Sequence, residues 1–236
     1  MPERYREAFD GAAIREHAAI VARRGDSPAL VEIWRREPHE RAVMCIVADD
    51  RPGLLSLVSA SLTAQNLDVV SAQAYTRTVA GAETAEAVDF VWVAHPLDVH
   101  GPIRSVDATR VAALLRSLIR GEASVEAVAR QGRRPSTPPP GATTRVTFDE
   151  LPRTGLAVLT VETFDRPGLL LAITLALFRA RVQIVASDAT TDGGRVVDRF
   201  TVAELDGAPV RGHRRGAVQT AVLAAIDTLS ERRARS

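Results

Sequence analysis

The chain has 236 residues, 46% of them apolar and 25% charged, with a formal net charge of +1. This profile fits a soluble globular protein of one large or two modest domains, and the balanced charge gives no overall pull towards nucleic acid or an anionic membrane. Aromatic residues make up 4% with no aromatic-glycine signature on a strand, which argues against an RNA-binding sheet, and the lone Cys45 excludes an internal disulfide.

Residues 11–24 place Ile14, Ala18 and Val21 on one side of a helix that ends at Gly25, with His17 packed on or beside the apolar face. A strand over 30–35 alternates Val31 and Ile33 against Glu32, and a polar turn over 36–41 leads into a strand over 42–48. Cys45 falls inside that strand as a buried, inert thiol. After Asp50-Arg51-Pro52-Gly53-Leu54-Leu55 comes a helix over 54–65, then a strand over 69–78 rich in small and β-branched residues. A loop over 80–85 returns the chain through 88–93, where apolar side chains on both parities predict a strand covered on both faces. Val111, Leu114, Leu115, Leu118 and Ile119 form one helical stripe, capped by Asp107 or Thr109 and ended by Gly121. Residues 130–144, with Pro138-Pro139-Pro140-Gly141, read as a linker.

The same order then returns. Strands are expected over 145–149 and 156–163, a helix over 169–179, strands over 182–190 and 196–202 joined by Asp192-Gly193-Gly194, and a helix through Val218, Val222, Ile226 and Leu229. Residues 169–178 are apolar almost all round, so that helix should pack beyond its own sheet, at a domain or subunit contact. Residues 232–236 read as a frayed basic tail. The repetition is literal. Asp165-Arg166-Pro167-Gly168-Leu169-Leu170 repeats the first hexapeptide 115 positions on, and residues 30–76 lie on 145–191 without a gap. The expected units are a helical segment 1–29, a first unit 30–129, the linker 130–144 and a second unit 145–236.

Each hexapeptide is a strand-to-helix elbow. Proline pre-sets the first helical turn, and glycine removes a side chain where helix N–H groups lack partners. Such a place suits a small anion or carboxylate. It is also consistent with a well-punctuated helix start in which aspartate sits close to the capping position. The pattern of each unit is ββαββα. Removing the leading strand and borrowing the one after the second helix gives βαββαβ, so an α+β pair of ferredoxin-like domains with exchanged edge strands is expected.

A strand, Asp-Arg-Pro-Gly-Leu-Leu, a helix, and a strand opening Asn66-Leu67-Asp68-Val69-Val70 or Arg181-Val182-Gln183-Ile184-Val185 resembles the ACT domain, a small regulatory module that binds amino acids. Met1-Pro2-Glu3-Arg4-Tyr5 with Ile14 and His17, the two elbows, and Thr144-Arg145-Val146-Thr147-Phe148-Asp149 are similar to the paired ACT domains of the bacterial bifunctional uridylyltransferase/uridylyl-removing enzymes of nitrogen control. The nucleotidyltransferase and phosphohydrolase signatures of those enzymes have no counterpart. No Gly-Ser dipeptide precedes a spaced aspartate pair, no His-Asp dipeptide occurs, and His17, His39, His95, His100 and His213 are scattered. The resemblance implies a non-catalytic sensor without metal or cofactor. An amino acid, glutamine first, would lie between the elbow of one copy and the second strand of a neighbour. Its carboxylate would be held near Gly53 and Leu54 or Gly168 and Leu169, its amino group by Asp50 or Asp165, and Asp68 and Gln183 would take the place of the family's usual asparagine. Arg51 and Arg166 would be exposed and structural. A homodimer or a regulatory protein partner is expected, in the cytoplasm, since the start lacks a signal sequence and no stretch reaches membrane-spanning length. The alternative is a pairing module whose elbows stay empty.

Overall fold

The computed structural model describes residues 1–78, 81, 84–96, 101–131 and 142–231. Residues 132–141 of the expected 130–144 linker, His100, the tail over 232–236 and part of the 80–85 loop lie outside the described residues. The elements are α1 (Glu3–Ala8), α2 (Gly11–Arg23), β1 (Ala29–Arg36), β2 (Ala42–Asp49), α3 (Leu54–Ala64), β3 (Asp68–Arg77), β4 (Glu86–Ala94), α4 (Ser105–Ile119), α5 (Val125–Gln131), β5 (Arg145–Glu150), β6 (Ala157–Phe164), α6 (Leu169–Arg179), β7 (Val182–Asp192), β8 (Arg195–Glu204) and α7 (His213–Glu231). The short helices α1 and α5 were not expected. The N-cap of α4 is Arg104 rather than Asp107 or Thr109; Asp107 accepts the Arg104 N–H at 2.7 Å from the third helical position.

All eight strands form one antiparallel sheet in the order β1-β2-β4-β3-β7-β8-β6-β5. Each repeat contributes four neighbouring strands, as a pair of ferredoxin-like units requires. The expected exchange of leading strands does not occur: β1 pairs with β2 and β5 with β6. The leading strand takes the edge that the last strand of βαββαβ would occupy, so each repeat completes its own sheet. Short connections explain this. The turn after β1 closes locally, with Glu37 N–H donating to Arg41 O at 2.9 Å, and Leu151 N–H does the same to Leu156 O at 2.9 Å. Local closure costs less chain entropy than pairing across a whole repeat. The exposed inner edges, β3 and β7, then pair through Ser71↔Thr190 to Ala74↔Ser187 and join the repeats side by side.

One face of the sheet carries α3, α4, α6 and α7. Met44, Ile46, Leu62, Leu115, Leu159, Ile173, Leu177, Phe200 and Ile226 fill the space beneath them. α3 and α6 meet across the repeat boundary, and Leu171 packs with Ala60, Ala64, Leu118 and Val128. The all-round apolar character of residues 169–178 therefore has its partner within the chain, at the contact between repeats.

The opposite face differs between the copies because α1 and α2 cover only the first. Val43, Cys45, Val47, Val88 and Phe90 are buried there under Tyr5 and Ile20. The corresponding positions of the second copy are Val158, Thr160, Glu162, Val197 and Arg199, suited to a wet face. His17 is buried in this aromatic cluster, 4.2 Å from the ring centroids of both Trp34 and Phe90, with Nδ1 2.8 Å from the Tyr5 hydroxyl. Burial lowers its pKa to about 4, so it stays neutral at pH 7. Cys45 is buried too, and its thiol is pushed well up by desolvation.

Arg24 ties this cap to the sheet, donating to Asp49 at 2.7 Å, Glu86 at 2.9 Å and the Ser27 carbonyl at 2.9 Å. Its side chain and that of Glu86 are 11% and 10% exposed. Arg24→Ala is expected to lower the unfolding free energy by about 3 kcal/mol, the low end for breaking a buried pair, because Arg77 still holds Glu86 at 2.6 Å. Urea denaturation measures it. Among the described residues no helix is long and apolar enough to cross a membrane.

Candidate functional site

Both elbows turn on a left-handed glycine. Gly53 at φ 81° and Gly168 at φ 78° occupy the N-cap positions of α3 and α6. Asp50 and Asp165, expected close to that position, instead stand just past the ends of β2 and β6, anchored by N–H donation to Ala85 O and Gly194 O, each at 2.8 Å. Leu54 N–H and Leu169 N–H donate back to Arg51 O at 3.1 Å and Arg166 O at 3.0 Å and close the turn. These amides, expected to face a ligand, are therefore committed. The N–H groups of Gly53 and Leu55, and of Gly168 and Leu170, have no hydrogen-bond partner among the described residues.

Side-by-side pairing brings the elbow before α6 to the start of β3 and the elbow before α3 to the start of β7. A cavity of about 40 Å³ is lined by Asp165, Arg166, Gly168 and Leu169 together with Asp68 and Val70. A second, of about 30 Å³, is lined by Asp50, Arg51, Gly53 and Leu54 together with Gln183 and Val185. All eight residues singled out in the sequence thus line two crossed cavities, four in each. Both facing strands carry a β-bulge at the same repeat position, between Val69 and Ser71 and between Ile184 and Ala186. Such bulges bend a strand and re-aim its side chains.

Sequence reasoning missed the second acid of each cavity. Asp89 on β4 lines the cavity of Asp50, and Asp198 on β8 lines that of Asp165. They are equivalent positions, since Ala85 and Gly194 mark the same point of the repeat. Both are buried, at 4% and 3% exposure. Burial pushes each carboxyl up to about 7; backbone N–H groups of Tyr75 and Thr190 pull the other way, and the charges of Asp50 and Asp165 add to the rise. Asp165 is itself raised by burial, and Asp50 accepts a hydrogen bond from Thr76 Oγ1 at 3.1 Å. A signal existed: Ala87-Val88-Asp89 and Val196-Val197-Asp198 each put an acid inside an apolar strand, which needs a reason.

The arginines part company. Arg51 is exposed and donates to Ile119 O at 3.1 Å. Arg166, expected to be exposed as well, is 6% exposed and donates to Thr163 Oγ1 at 2.8 Å. The cavity at Gly53 sets a helix start against the carboxyl groups of Asp50 and Asp89, and the cavity at Gly168 sets one against those of Asp68, Asp165 and Asp198, with Arg166 beside them. That arrangement is complementary to a small zwitterion, anionic at one end and cationic at the other. Among the described residues no three His, Cys, Asp or Glu side chains are placed to hold a metal ion.

No family model matches the chain. It is similar to the bifunctional uridylyltransferase/uridylyl-removing enzyme of Rhodospirillum rubrum, 28% identical over 211 residues, covering 86% of this chain and 22% of that enzyme. The enzyme of the same name from Phenylobacterium zucineum is 29% identical over 235 residues, covering 96% of this chain and 24% of the relative. That of Bradyrhizobium diazoefficiens is 29% identical over 188 residues, covering 78% and 19%. The chain therefore spans about a fifth to a quarter of the length of these relatives. A crystal structure of an unknown protein from Galdieria sulphuraria is 16% identical, covering 83% of this chain and 94% of that chain, with a TM-score of 0.22.

Proposed function

We propose that this chain is a non-catalytic regulatory module that senses a free amino acid in nitrogen or amino-acid metabolism, with glutamine the first candidate. The observation that carries the reading is the crossed cavity, in which helix N-terminal amides face a carboxyl pair contributed by an elbow and a neighbouring strand. In this reading the Gly168 and Leu170 amides hold the ligand carboxylate, and Asp165 and Asp198 hold its ammonium group. Asp68 and Arg166 line the same cavity. Similarity to part of enzymes named for adding and removing uridylyl groups supports a place beside nitrogen-linked control, with binding rather than bond-making as this segment's share.

Thermal unfolding against each of the twenty amino acids tests the reading. A ligand at about 100 times its dissociation constant adds roughly 2.7 kcal/mol of stability. The expected result is a shift confined to glutamine or a few others and lost in Asp165→Asn. No shift with any amino acid would overturn it in favour of a pairing module that acts through protein partners.

Binding should also strengthen as pH rises from 6 to 8. The Asp198 carboxyl, with Asp165, Asp188 and Arg166 around it, must be ionised to hold an ammonium group, and its pKa of about 7 makes that form the minority below neutrality. Titration calorimetry in buffers of different ionisation enthalpy would detect the proton released on binding.

A further inference from the structure

The two cavities are related by the repeat, but one position near the end of the helices sets them apart. Thr63 and Phe178 are equivalent residues, 115 positions apart, and each faces the elbow of the other copy. Around Gly168 the space is open: an added Cβ would meet Thr63 Cγ2 at 3.8 Å, an ordinary contact. Around Gly53 it is filled. A Cβ there would lie 2.6, 2.8 and 2.9 Å from three carbons of the Phe178 ring, so the ring rests directly on the glycine. Phe178 is nevertheless 43% exposed, which places it over the elbow instead of in the core. The cavity it lines also holds Gln183 where the other has Asp68, and is the smaller of the two.

We infer that the chain takes one ligand, at the elbow of the second repeat, and that Phe178 is the residue that closes the elbow of the first. The inference rests on the amino-acid-binding reading above. An atom at the Cβ position of Gly53 would overlap an aromatic ring, whereas at Gly168 it would meet a threonine methyl at 3.8 Å. The duplication thus supplies one working site and one plugged copy, and the plug is a single side chain. Copying the residue from the open site into the closed one should restore it.

The test is calorimetric stoichiometry on the full chain, with L-glutamine and with whichever amino acid gives the largest thermal shift. The wild type should bind one equivalent, abolished by Asp165→Asn and unaffected by Asp50→Asn. Phe178→Thr, at a half-exposed position that tolerates a smaller side chain, should bind two. Thr63→Phe should bind none, and the double exchange Thr63→Phe/Phe178→Thr should bind one that now depends on Asp50. Two equivalents in the wild type, or one that depends on Asp50, would overturn the inference while leaving the sensor reading intact. Absence of binding by any amino acid would overturn the sensor reading, and the inference with it. Should Thr63→Phe fail to fold, the wild-type stoichiometry and the Asp50 and Asp165 variants still decide.

Discussion

Asp89→Asn and Asp198→Asn should each make the protein more stable at pH 8, by up to about 4 kcal/mol, and change it little near pH 4. Each carboxyl has an ordinary pKa of 3.8 and is raised by burial to about 7 in the fold. Each pK unit is about 1.4 kcal/mol of differential interaction. The sign follows from proton uptake. Between pH 3.8 and 7 the folded chain holds these protons and the unfolded chain does not, so stability is fully present below the lower value and falls as pH rises through the upper one. Asparagine keeps the oxygen that accepts the backbone N–H and removes the charge that must be buried at alkaline pH. His17 tilts the profile the other way, since its lowered pKa of about 4 makes stability fall as pH drops from 6.5. It is present in wild type and variants alike and cancels in the difference. Urea unfolding at pH 4, 6 and 8 measures the effect, and a gain no larger at pH 8 than at pH 4 would contradict it. On the sensor reading the Asp198 variant should also stop binding, which would show that the acid is retained for its site at a cost in stability.

Gly53→Ala should destabilise the fold by about 2–4 kcal/mol, and Gly168→Ala by only about 1 kcal/mol. Both glycines are left-handed, at φ 81° and 78°, and a side chain in that conformation costs about 1–2 kcal/mol. Only at Gly53 does the new Cβ collide with an aromatic ring, at 2.6 Å. The excess belongs to Phe178 and can be isolated. In the Phe178→Ala background the two alanine substitutions should cost nearly the same, a coupling that a double-mutant cycle reads directly.

The duplication, the order of strands and helices within each copy and the elbows were legible because their causes are local. Alternating apolar residues mark β1, and glycine after proline marks the starts of α3 and α6 whatever lies around them. α1 and α5 escaped notice because each is a turn or two of weak periodicity whose stability comes from what it covers: Tyr5 in the outer cluster, Val128 beside α3. The leading strands were assigned to the wrong repeat because alternation says that a strand exists and not which edge it joins. The short turns that decide the matter act through loop entropy. Asp89 and Asp198 went unremarked because a charged residue in an apolar run reads as an irregularity until its depth is known.

What the sequence determined by itself is that one unit occurs twice, with the same elbow at the same place, because hydrophobic period and turn chemistry are properties of short segments. Only the tertiary structure decided that β3 and β7 pair edge to edge, so that each elbow faces the strand after the other copy's elbow helix, and that Phe178 lies on Gly53 where Thr63 leaves Gly168 open. Those relations join residues more than a hundred positions apart. They depend on which sheet edge is left exposed and how far each side chain reaches, and these exist only once the chain has packed.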